Sequence, residues 1–180
     1  MTKKIFLTFA IMSLASIGCW QGYTHLANSL HSNLPRETLE QRIADFSLKH
    51  MVNRCKKEHA YSDEDMEIIE KELKRYFLMI ALDSDKNHIL NMYSKDVDNL
   101  WHAFILFTKE YHVFSQQICG HYIHHTPNLD KDRKKTAKEF LELQKEYRDF
   151  ILYYEATFNE PIHPIWLLDA VEKEAEAAIT

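Results

Sequence analysis

Between Ser94 and Gly120, apolar side chains recur every three or four residues at Val97, Leu100, Trp101, Phe104, Ile105, Tyr111, Phe114 and Ile118. That is the α-helical period, and a strand, whose faces alternate every second residue, cannot use it. The same spacing returns at Leu39, Ile43, Phe46, His50 or Met51, and Cys55. It appears again at Met66, Ile69, Leu73, Tyr76, Phe77 and Ile80, and at Ala137, Phe140, Leu141, Gln144, Tyr147, Ile151, Tyr154 and Phe158. Residues that interrupt helices are scarce, with three Gly and four Pro in 180 residues, while 46% are hydrophobic. This composition excludes disorder and a turn-rich β-sandwich. It predicts an all-α, single-domain bundle of about five helices after an N-terminal apolar leader.

Local signals set the expected boundaries. Pro35 suits a first helical turn, and the helix it opens is predicted to run to about Lys57, where Lys56 and Lys57 complement the dipole. Ser62 with Asp65 three residues on is a capping box. Ser94 caps the next helix, with Asp96 and Asp98 in its first turn and Gly120 at its end. That helix is the most oily and is expected at the centre of the bundle. A further helix is predicted from Lys131 to Phe158 and a short one from Ile165 to Ala178, with a strand pattern only at Ile89–Tyr93.

The N-terminus reads separately. Lys3 and Lys4 precede an uncharged run from Ile5 to Ile17, then Gly18 and Cys19. A cationic start before such a run has the form of a secretory signal. Residues 1–20 are therefore expected to be a signal peptide or a membrane or lipoprotein anchor, with Cys19 the lipidated residue in the last case. Residues 21–33 form a connector and 34–180 the helical domain. The chain would then be exported or membrane-anchored, and cytoplasmic if the leader is part of the fold. In an exported protein Cys55 and Cys119 are available to pair.

Several functions are excluded by pattern. The net charge of −5 has no basic block behind it, which removes a nucleic-acid footprint. There is no Gly-rich phosphate loop, no Gly-x-Ser-x-Gly turn and no Cys-x-x-Cys pair. Asp83-Ser84-Asp85-Lys86-Asn87 opens like a calcium loop but lacks its Gly and its final Glu.

The candidate chemistry lies in Ser94–Pro127. Asp98 and His102, four apart, share one helix face. A loop folding back after Gly120 can bring His124 or His125 to them. Two imidazoles and a carboxylate suit zinc in an open catalytic site or ferrous iron in a facial triad. The metal set is Asp98, His102, His124 and His125, with Trp101 and Tyr111 supporting. Along one continuous helix Tyr111 falls two and a half turns beyond His102, which makes it mainly a core residue. The alternative is a non-catalytic structural or interaction module in which the same side chains form a buried hydrogen-bond network.

Asp98-Asn99-Leu100-Trp101-His102, then Thr108 and Tyr111, then Gly120-x-Tyr122-Ile123-His124-His125-Thr126-Pro127 resemble the core of the glycine-rich domain-containing protein-like family. Its bacterial members carry a similar Asp-x-x-Trp-His, Thr-x-x-Tyr and Gly-x-Phe-x-His-His-x-Pro order. Tyr76-Phe77 and Pro164–Ala170 resemble its flanks, so the resemblance covers residues 62–171. It implies a helical fold and a grouping of Asp98, His102, His124 and His125, and it implies no reaction. Ser115 stands where members often have Cys, and Cys119 where they have an aromatic residue.

Overall fold

The computed structural model describes residues 34–83, 88–126 and 136–167. They form six α-helices: α1 (Arg36–Asp45), α2 (Lys49–His59), α3 (Asp63–Leu82), α4 (Lys95–Ile105), α5 (Thr108–Cys119) and α6 (Ala137–Phe158). A single 3₁₀ turn at Pro164–Trp166 follows, and no strand is present among the described residues. The all-α bundle is as the apolar spacing predicts. The expected leader (residues 1–20), the expected connector (21–33) and the segment from 168 onward lie outside the described residues. Among those described, no helix is long and apolar enough to cross a membrane.

The locally encoded ends behave as read. Ser62 accepts from the Asp65 amide while the Asp65 carboxylate returns a bond to Ser62. Ser94 caps α4 by accepting from Val97, and Gly120 closes α5 with φ 70°, a left-handed cap that needs no Cβ.

Five expectations are corrected. The predicted Pro35–Lys57 helix is two helices, because Phe46 turns extended (ψ 117°) and drops its ring between Phe104 and Phe114, 5.6 and 4.8 Å away. The predicted Ser94–Gly120 helix is also two. Phe104-Ile105-Leu106-Phe107 would be apolar all round a straight helix. The break at Phe107 (ψ 64°) buries Phe104, half-buries Ile105 and Phe107, and leaves only Leu106 largely exposed. The centre of the bundle is accordingly α3, which packs against α1, α2, α4 and α5. Its buried face runs through Met66, Ile69, Leu73, Tyr76 and Phe77.

The fourth correction is the strand pattern at Ile89–Tyr93. This segment is held by side chains one residue at a time: the Tyr76 hydroxyl on the Leu90 carbonyl, Asn91 on Glu146, and Tyr93 against Tyr147 and Phe150. With no neighbouring strand among the described residues, its backbone has no ladder to join there. The fifth is the last helix. Leu167 is already extended (ψ 131°), so no helix continues through it from Ile165. The start of α6 at Ala137 is fixed by a capping box between Thr136 and Glu139, and residues 131–135 lie outside the described residues.

Across the bundle, Glu72 is buried in the apolar face of α3. Its Oε2 accepts from the Tyr154 hydroxyl on α6 and from Trp166 Nε1, both at 2.8 Å, and Arg75 lies 3.6 Å from its Oε1. Arg75 itself donates to Tyr154 and to Glu160. This ion-centred knot fastens α6 and the 3₁₀ turn to the central helix.

Candidate metal centre

The site is built on the first two turns of α4. Ser94 starts that helix, and Tyr61 at the α2–α3 junction steadies it by donating to Asp96 Oδ1 at 2.6 Å and accepting from Asn99 at 2.9 Å. With the start fixed, the helical period turns Leu100 and Trp101 inward and leaves Asp98 and His102 one turn apart on the rim. Trp101 is buried against Tyr76 and Phe77.

The loop after Gly120 folds back onto this rim. Ile123 is buried in the core, and the side chain of His125, two positions on, is buried beside α4. Its ring meets the Trp101 indole edge-on at 4.3 Å, and its Nε2 lies 2.8 Å from Asp98 Oδ1. His102 Nε2 lies 3.6 Å from the same oxygen, and the two imidazole rings are 4.6 Å apart. One ligand atom from each of Asp98, His102 and His125 falls within 4.8 Å of the others, so the group can hold a metal ion.

The structure brings together three of the four expected residues. His124 points the other way: it is exposed, and its ring lies 5.1 Å from Tyr122. Burial alternates along the loop: Ile123 is buried, His124 is exposed, and the His125 side chain is 8% exposed.

The supporting residues are both close by. The break in the α4–α5 run carries Tyr111 back over the loop, where its buried hydroxyl accepts from Trp101 Nε1 at 3.0 Å and donates to the Ile123 carbonyl at 2.7 Å. Burial pushes the Tyr111 phenol up to about 12. Reading a continuous helix hid this contact, and the four consecutive apolar residues at Phe104–Phe107 were the available signal for the bend. Glu72 was also missed, although it falls in register with Ile69, Leu73 and Tyr76.

Neither described cysteine takes part in the site. Cys55 and Cys119 are free thiols, and burial raises them to about 11 and about 12. A thiol so poorly ionised is a weak nucleophile at neutral pH. Ser115, buried on α5, donates to the Tyr111 carbonyl within its own helix.

Donors bound to one tetrahedral zinc at 2.0–2.1 Å lie about 3.3 Å apart. The Asp98–His102 edge, at 3.6 Å, is close to that value, and the Asp98–His125 edge, at 2.8 Å, has to open slightly. His102, with 47% of its side chain exposed, has freedom to move, whereas His125 at 8% is held.

No curated protein and no solved structure matches this chain. A family model, UCP032817-like, matches residues 38–159. That span begins inside α1, earlier than the motif resemblance, and contains Asp98, His102 and His125 together with the Tyr111 turn. With about two thirds of its length inside the match, the chain belongs to the UCP032817-like family.

Proposed function

We propose that Asp98, His102 and His125 form a divalent-metal site on the rim of the helical bundle. The observation that carries this reading is the convergence of two imidazole nitrogens from separate segments on one carboxylate oxygen, at 2.8 and 3.6 Å. Three protein donors leave coordination positions open. Zinc held there would supply a water of lowered pKa for hydrolysis, and ferrous iron would supply a dioxygen-binding centre. The resemblance to the glycine-rich domain-containing protein-like family implies a grouping that includes these three residues together with His124.

Metal analysis of the untagged chain after zinc or anaerobic ferrous loading tests the proposal. About one equivalent is expected, retained in His124→Ala and lost in His102→Ala and His125→Ala. Less than about a tenth of an equivalent, unchanged by His102→Ala, overturns it.

A second reading rests on the 2.8 Å His125–Asp98 contact taken as an end in itself. There the imidazole donates to the carboxylate, packs on Trp101, and pins the loop of a non-catalytic interaction module. In that case Asp98→Ala lowers the melting temperature equally with and without added metal.

A further inference from the structure

The loop bearing His125 touches α4 through a chain of buried hydrogen bonds that the metal donors themselves do not form. Trp101 Nε1 donates to the Tyr111 hydroxyl, and that hydroxyl donates to the carbonyl of Ile123. The three partners come from α4, α5 and the loop. Trp101 is also the surface on which the His125 ring rests, 4.3 Å away at 85°. Ile123 and His125 are two residues apart, a reach of roughly 7 Å in extended chain. Whatever holds the Ile123 carbonyl therefore limits where the His125 imidazole can stand. Tyr111 is fully buried and its ring is fixed edge-on to Phe104 and Tyr122, at 5.0 and 5.2 Å, so the hydroxyl has little freedom.

We propose that Tyr111 is the positioning residue of the metal centre: its hydroxyl couples Trp101 to the Ile123 carbonyl and so sets His125 against Asp98. The inference rests on the metal reading above and adds to it the element that preorganises the loop-borne ligand. Partners that orient a ligand without touching the metal characteristically govern affinity by 10–100-fold. The coupling also links the bend at Phe107 to the site, since an unbroken helix would carry Tyr111 away from the loop.

Cobalt(II) titration of the full chain, followed by its ligand-field absorption and by competition with zinc, is the test. Tyr111→Phe keeps the ring and removes the hydroxyl, and is expected to weaken binding about tenfold with an altered absorption band. Trp101→Phe removes the donor on the other side and is expected to act in the same direction, so it carries the test if Tyr111→Phe does not fold. Tyr154→Phe is the control, losing a buried hydroxyl at the remote Glu72 knot while keeping the wild-type affinity and spectrum. Wild-type binding by Tyr111→Phe overturns the positioning role and leaves the metal site standing. An equal loss in Tyr154→Phe also overturns it, since the effect would then be general loosening. No cobalt or zinc uptake by the wild-type chain overturns the metal reading, and this inference with it.

Discussion

His125 Nε2 lies 2.8 Å from Asp98 Oδ1 although 27 residues separate the two in sequence. This pair decides between the two readings of the site, because a hydrogen bond and a metal ligand make different demands on residue 98. An amide can still accept from the imidazole, but it is a far poorer metal ligand than a carboxylate. Asp98→Asn is therefore expected to lose at least tenfold in zinc affinity while costing only about 1 kcal/mol of stability, measured by calorimetry and urea unfolding. An unchanged affinity would remove Asp98 from the ligand set. Metal ligands bind in their deprotonated forms, so zinc affinity is expected to fall as pH is lowered.

Glu72 is the acceptor for two buried donors, the Tyr154 hydroxyl and the Trp166 indole N–H. Removing it leaves both without their acceptor in the core, while Arg75 keeps its ion pair with Glu160. Glu72→Ala is expected to destabilise the fold by about 3 kcal/mol, lowering the melting temperature by roughly 6–12 °C. Thermal unfolding followed by circular dichroism measures this. A loss below about 0.5 kcal/mol would mean that apolar packing alone holds α6 and the 3₁₀ turn.

Alkaline pH should destabilise the protein. Burial raises Cys55 from 9.0 to about 11 and Cys119 from 9.0 to about 12, and raises Tyr61, Tyr93 and Tyr111 from 10.0 to about 12. The folded chain then binds these protons more tightly than the unfolded chain. Their contribution to stability is complete below about pH 9 and is lost as pH rises through the folded-state values. The urea midpoint is expected to be clearly lower at about pH 10.5 than at about pH 8, and an equal or higher midpoint would contradict it. At about pH 8 both thiols should resist alkylation until the chain is unfolded.

Much of this molecule is written locally. The capping box at Ser62 and Asp65, the Ser94 cap and the left-handed Gly120 each depend on residues within one turn, and each stands where the sequence puts it. Asp98 and His102 share a face because four residues make about one helical turn, whatever the rest of the chain does. The bends at Phe46 and Phe107 are different. Neither bend holds a Gly or Pro that would break a helix. The chain turns there because Phe46 has a place between Phe104 and Phe114, and because four successive apolar side chains cannot all be buried on one straight helix.

The sequence by itself determined the helical class, the helix ends with local caps, and the Asp98–His102 half of the site, all properties of short-range geometry. Only the tertiary structure chose His125 over its neighbour His124, since that choice depends on Ile123 entering the core and on Trp101 offering an edge for one imidazole. It also turned Tyr111 from a remote core residue into the link between Trp101 and the loop. The physical reason is the same in both cases. A side chain's direction is fixed by its own backbone, but what it meets is fixed by packing between segments far apart in sequence.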